Sequence, residues 1–285
     1  MQPILITGAA GTLGRAFAGG CAARNLRHRV TSRAELDIAD LDTVVAALAR
    51  IRPWLVVNAA GFVRVDDAED EPDRCHRENA VGAELLARAC ADARVPLVTF
   101  SSDLVFDGVK GSPYDEDDAP APLSVYGSSK ASAEARVLAA HPRALVVRTS
   151  AFFGPSDEHN LVTLALRALG AGQVFRVPDA QLSPTYVPDL VTATLDLAID
   201  GEHGLWHLTN RGVTTWVDLI GDAARRVGIA TERLSAASPH ALGLRATRPR
   251  FSALGSRRGQ LLPELHDAVG RYVFERTQRG AVNHV

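Results

Sequence analysis

The first twenty-four residues constrain the fold more than any other stretch. An apolar run over residues 3–7 passes directly into Gly8-Ala9-Ala10-Gly11-Thr12-Leu13-Gly14 and then into a helical pattern reaching residue 24. A buried strand that feeds a glycine turn and a helix is the opening unit of an α/β sheet. Glycines at such a turn let the backbone approach a pyrophosphate, and the helix N-terminus directs free N–H groups toward it. The spacing is G-x-x-G-x-x-G, whereas the usual dinucleotide fingerprint is G-x-G-x-x-G, so a plain tight strand–helix turn also fits. The place of the motif at the head of a longer series favours the first reading.

That series is explicit. Residues 28–32, 54–58, 96–101 and 144–149 read as further apolar strands, and residues 41–50, 79–93 and 123–140 as helices between them. Nearly continuous apolar strands separated by helices predict a parallel sheet covered on both faces. After residue 149 the rhythm changes: Gly154-Pro155 interrupts it, helices follow near residues 161–169 and 187–199, and residues 205–209 form a late strand able to rejoin the sheet. Helices are also expected over residues 216–227 and 264–278. The predicted fold is an α/β, doubly wound parallel-sheet Rossmann fold with a smaller, partly interleaved C-terminal substrate lobe. The dinucleotide domain takes residues 1–153, rejoined by 187–210, and the lobe takes 154–186 and 211–285.

Charge excludes some partners. With 31 basic and 33 acidic residues the chain carries a formal −2, which offers no electrostatic footprint for nucleic acid or an anionic membrane. Cys21, Cys75 and Cys90 are odd in number and widely spaced, which argues against a disulfide framework or zinc cluster and for a reducing, cytoplasmic setting. The N-terminal apolar run is too short for a signal peptide or membrane span.

Five groups of residues carry chemistry. After the second strand, Arg33 stands where dinucleotide folds select their ribose; an arginine there accepts a 2′-phosphate, although a plain surface arginine is the alternative. Asp37 and Ile38 lie further on, placed to edge an adenine. Asn58-Ala59-Ala60-Gly61 ends the third strand, where small residues leave room for a flat cofactor. Ser101-Ser102-Asp103 ends the fourth; such residues are often turn formers, yet Ser102 could hydrogen-bond a substrate oxygen. Tyr126 and Lys130 are four apart on a predicted helix, hence on one face. That spacing also suits a solvated helix face, but a nearby cation favours a phenolate and would bring the phenol toward neutral proton exchange.

Asp66 and Glu69 read as a helix cap with reciprocal bonds. There is no G-x-S-x-G elbow and no His-Glu-x-x-His motif, and His203 with His207 enters a strand, so no metal site is expected.

In this order, the glycine turn, Asn-Ala-Ala-Gly, Ser-Ser-Asp and Tyr-x-x-x-Lys resemble the extended short-chain dehydrogenase/reductases. Finer matches resemble the dTDP-4-dehydrorhamnose reductase family: Val65 to Pro72, Ser102 to Gly108, Pro122 to Gly127, Arg148-Thr149-Ser150, Pro184-Thr185, Gly212 to Trp216, and Arg248-Pro249. The resemblance implies an oxidoreductase that reduces the 4-keto group of a nucleotide-linked deoxysugar with NADP or NAD, NADP being favoured by Arg33. By position it implies Tyr126 as proton donor, Lys130 as the residue that binds the nicotinamide ribose and tunes the phenol, and Ser102 as the group polarising the keto oxygen. It also implies cofactor contacts at Gly8, Gly11, Thr12, Leu13, Gly14, Asp37, Ile38 and Asn58 to Gly61. Substrate contacts are implied at Ser102, Asp103, Phe152, Asn160 and Arg248. The partners expected are the nucleotide sugar and, at most, a second copy of the chain as a homodimer, with no nucleic acid and no membrane.

Departures fall at the sugar end. Ala151 stands where the family usually has Trp, Leu182 falls within the Asp179 to Thr185 stretch, and Phe251 within Arg248 to Ser252. Losing a large flat ring reshapes a sugar pocket. Two other functions therefore stay open at this stage: a nucleotide-sugar epimerase or dehydratase on the same scaffold, and a non-catalytic dinucleotide-binding regulatory subunit.

Overall fold

A computed structural model of the chain describes residues 2–282; residue 1 and residues 283–285, which the expected domain bounds include, lie outside the described residues. The alternation is as the periodicity requires. β1 (Ile4–Thr7), α1 (Thr12–Ala23), β2 (His28–Thr31), α2 (Leu41–Ile51), β3 (Leu55–Asn58), α3 (Pro72–His76), α4 (Gly82–Asp92), β4 (Leu97–Phe100), α5 (Val125–Ala140) and β5 (Leu145–Arg148) follow one another. Then come β6 (Phe152–Phe153), α6 (Leu161–Gly170), β7 (Phe175–Pro178), β8 (Gln181–Leu182), β9 (Thr185–Tyr186), α7 (Val187–Ile199) and β10 (Gly204–His207). The chain continues through β11 (Thr214–Thr215), α8 (Trp216–Arg226), β12 (Leu234–Ala237) and α9 (Leu265–Val282).

Six strands form one parallel sheet in the order β10-β5-β4-β3-β1-β2. Because successive side chains in a strand point to opposite faces, the central strands feed two cores. Ile4, Ile6, Leu55, Val57, Val98 and Val147 pack with Phe17 of α1 and Leu190 and Leu195 of α7. Leu5, Val56, Leu97 and Val146 pack on the other face with Val44 of α2, Leu86 of α4 and Val137 of α5. Both faces are thus covered, which explains why the strands read as unbroken apolar runs. The chain steps outward from β1 to β2 and then returns to β3 on the far side of β1. That reversal opens a crevice beyond the carboxyl ends of β1 and β3, the usual ligand site of such sheets.

Beyond the sheet, the pairs β6–β9, β8–β11 and β7–β12 are small. A separate core from α6, α8 and α9 packs Leu166, Leu219, Ile220 and Tyr272 together. Among the described residues no helix is long and apolar enough to cross a membrane.

Two local expectations are corrected. The helix expected to start at residue 79 is the end of a longer one: α3, a π-helical turn over Arg77–Val81, and α4 run on without a break. Asp73, Arg74, His76 and Arg77 give the first part no apolar period to detect. The π turn carries Asn79, whose side chain accepts from the Phe62 N–H at 2.8 Å and donates to Phe62 O at 3.0 Å and to Ser129 Oγ at 2.9 Å. One asparagine therefore ties the loop after β3 to α5.

The reciprocal cap expected at Asp66 and Glu69 does not form, and the short 3₁₀ turn Asp67–Glu69 has no side-chain cap. Asp66 instead receives Arg248 through two bonds of 2.9 and 2.6 Å, from 182 residues away. Two charge-assisted bonds outcompete one backbone N–H. Glu69 Oε1 accepts from the Val125 N–H at 2.9 Å, at the first turn of α5.

Candidate active site

A cavity of about 680 Å³ opens at the carboxyl ends of the strands. Gly11, Thr12 and Leu13 line it from the first turn, and Asn58, Ala59, Ala60 and Gly61 from the end of β3. Ser102 and Asp103 enter after β4, Tyr126 and Lys130 from α5, and Phe152 and Arg248 from the opposite side. Most residues singled out in the sequence thus meet at one place.

Gly8 and Gly14 shape the turn without lining the cavity. Gly8 has φ +79°, and a side chain there would begin 2.5 Å from Ala59 O. One at Gly14 would begin 2.1 Å from Gly8 O. Backbone therefore fills the space where side chains would stand, and α1 starts with no side-chain cap to consume its first N–H groups. A bare turn and free N–H groups fit the pyrophosphate of a dinucleotide.

Arg33, Asp37 and Ile38 are not on the cavity wall. Arg33 donates to Glu78 at 2.7 Å, and Glu78 also takes Arg74 at 2.8 Å. Burial would raise the Glu78 pKa, but Arg74 and Arg33 outweigh it and hold the carboxyl below its usual value. Asp37 accepts from the Ala39 N–H and from Arg77, both at 3.0 Å. Ile38 is 5% exposed and packs in the α2/α4 core, so it is a core residue first. Asn160, expected to meet substrate, is not on the cavity wall either; it caps α6 by accepting from the Thr163 N–H at 2.9 Å, while its amide nitrogen bonds Thr163 Oγ1 and the Gly154 carbonyl. An asparagine just before an apolar period is a cap in the first place.

Lys130 Nζ donates to Phe100 O at 3.1 Å and lies 5.8 Å from the Tyr126 ring centroid. Burial pulls the Lys130 pKa down to about 8. The Tyr126 phenol is pushed up, first by burial and then, as lesser causes, by the neighbouring Asp103 and Cys75. The expectation that Lys130 brings the phenol down is therefore not met. The ammonium points at a carbonyl, and burial penalises the phenolate more than the cation favours it. A phenol held in its protonated form suits a proton donor. The lysine gives a pH prediction: its charge is lost as pH rises through about 8. Free-enzyme kcat/KM should fall on that alkaline limb, and a pH–rate profile flat through that region would refute it.

Ser102 Oγ accepts from the Leu104 N–H and donates to Asp103 Oδ1, both at 3.1 Å. Asp103 Oδ2 accepts from Ser150 Oγ at 2.8 Å and Ser252 Oγ at 2.6 Å. Burial pushes the Asp103 pKa up despite the three serines. Ser150 and Ser252 were not foreseen; a buried aspartate calls for donors, but nothing local says which.

The part of the cavity where the sequence departs from the family pattern is not short of rings. Ala151 lines the cavity, yet so do Phe152 and Trp216. Pairing of β8 with β11, Leu182 opposite Thr214, brings the first residue of α8 to the wall. Arg176 and Asp179 join them there, whereas Phe251 does not line it. Among the described residues no group of three or more histidine, cysteine or acidic side chains could hold a metal ion.

The family model described as RmlD substrate binding domain matches residues 1–268. The chain is 38% identical over 260 residues to a dTDP-4-dehydrorhamnose reductase of Mycolicibacterium smegmatis, covering 90% of this chain and 79% of that protein. It is 36% identical over 253 residues to a probable dTDP-4,6-dihydroxy-2-methyloxan-3-one 4-ketoreductase of Streptomyces antibioticus, covering 88% and 86%. Its structure resembles the crystal structure of a Bacillus anthracis dTDP-4-dehydrorhamnose reductase in complex with NADP, with a TM-score of 0.91, 29% identity, and coverage of 96% and 100%.

Proposed function

Since the chain belongs to the dTDP-4-dehydrorhamnose reductase family, we propose that it reduces the 4-keto group of a nucleotide-linked deoxysugar with NADPH or NADH. The observation that carries this reading is the meeting of Ser102, Tyr126 and Lys130 on one cavity wall beside the bare glycine turn. When bound, the dinucleotide supplies the hydride. The chain's own residues do the rest. The turn at Gly8 to Gly14 and the N-terminus of α1 hold the pyrophosphate, and Ala59 to Gly61 leave a flat floor. Lys130 holds the ribose. Tyr126 gives its proton to the keto oxygen, which Ser102 keeps in line. Arg248, fixed by Asp66, and the rings of Phe152 and Trp216 border the sugar and its nucleotide.

In this reading residues 1–153 with 187–210 serve the cofactor, and 154–186 with 211–285 serve the sugar. Cys21, Cys75 and Cys90 are free and buried, which supports a reducing, cytoplasmic setting. The test is to follow NADPH absorbance with a dTDP-4-keto-6-deoxysugar. Stoichiometric loss of NADPH is expected. Isomerised sugar without net NADPH loss would replace the reductase with an epimerase.

A further inference from the structure

Ser102 has one hydroxyl proton, and the structure directs it at Asp103 rather than into the cavity. A serine that donates to a carboxylate cannot also donate to a ketone. Its oxygen takes the Leu104 N–H through one lone pair. The second lone pair could accept a proton from the same Asp103 oxygen, and the hydroxyl would then be free to turn toward substrate.

Asp103 is built to hold that proton. It is 6% exposed, and its side-chain partners are three neutral hydroxyls: Ser102 on Oδ1, Ser150 and Ser252 on Oδ2. No cation bonds it among the described residues. The ionisable groups on the surrounding elements are engaged elsewhere. Lys130 of α5 donates to Phe100 O, Arg148 of β5 to Glu134, Arg248 to Asp66 and Arg250 to Asp179. Tyr126 of α5 and Cys75 of α3 remain, and neither brings a positive charge. A buried carboxylate with only neutral partners favours its protonated form, and burial does push this one up.

Taking the reductase reading as given, we propose that Asp103 is a positioning residue that works as a neutral acid. Its proton, on Oδ1, is donated to Ser102 Oγ, and this frees the Ser102 hydroxyl for the substrate oxygen. Oδ2 keeps both of its serines, so only two protons change direction and no heavy atom has to move.

Asp103→Asn tests this directly, because the amide nitrogen donates to Ser102 while its oxygen still accepts from Ser150 and Ser252. Wild-type kcat/KM should fall as pH rises through the Asp103 pKa, and again near 8 as Lys130 discharges. Asp103→Asn should lose the first limb, keep the second, and turn over within about tenfold of wild type. Asp103→Ala should lose about 10² to 10³, the usual cost of one misdirected donor to the reacting oxygen. An asparagine variant as slow as the alanine one, or one keeping both limbs, overturns the proposal. A second readout needs no turnover: the infrared difference between wild type and Asp103→Asn should contain the C=O stretch of a protonated carboxylic acid at neutral pH. A carboxylate band there instead also overturns it. If the acid band is present but no keto sugar is reduced, the reductase reading fails and the proton on Asp103 stands.

Discussion

Tyr126→Phe is expected to lower kcat by about 10² to 10⁴ with dinucleotide binding largely kept, since general-acid help is typically worth that much. The ring is half-buried and packs against Phe62, Ala68 and Cys75, and phenylalanine preserves that packing. What disappears is one hydroxyl, the group that the site keeps protonated chiefly by burial. The loss belongs in kcat, because a proton given only as the alkoxide forms stabilises the transition state and not the bound ketone. If the phenol were merely a binding contact, KM would rise and kcat would stay. Single-turnover rates with a dinucleotide titration on the same sample separate these outcomes. Near-normal turnover in the variant would remove Tyr126 from the mechanism.

How much of this is legible in the sequence depends on how far apart the partners lie. The sheet is legible because its information is local: the central strands are short, mostly apolar or β-branched runs, and both faces bury what they show. The cavity wall is legible for a related reason. Ligands in such sheets bind at strand ends, so Gly11, Ala59 to Gly61 and Ser102 can be placed from the strand boundaries alone.

Contacts across the chain are not legible in this way. Asp66 has a cap-like neighbour three residues on, yet its carboxylate goes to Arg248. The serines that surround Asp103 come from positions 150 and 252. Asn160 shows the opposite case, where a local rule, the helix cap, says what the side chain does. Charge sign misled as well. A lysine one turn from a tyrosine suggests a lowered phenol pKa, but burial is a property of the assembled site and it dominates.

The largest effect on stability should come from Arg148→Ala. Arg148 is 2% exposed and gives two bonds of 2.8 and 2.7 Å to Glu134, itself 5% exposed. Its third partner is His207. The Nδ1 of that ring faces the carbonyls of Gly255 at 2.8 Å and Tyr114 at 3.2 Å, so Nδ1 carries the proton. Burial lowers the His207 pKa, which leaves Nε2 as an acceptor for the guanidinium at 3.3 Å. Removing the arginine strands a buried carboxylate on α5 and an unpaired ring nitrogen on β10. Breaking a buried pair from one side costs on the order of 3–5 kcal/mol, whereas replacing both members with apolar groups is often neutral. Arg148→Ala should therefore lower the melting temperature by roughly 10 °C, and Arg148→Met combined with Glu134→Leu should recover most of that. Glu134 stands one turn beyond Lys130 on the helix that presents Tyr126. A fall in melting temperature no larger than that from removing the exposed Arg257–Asp117 pair would mean that the buried pair does not hold α5 to the sheet.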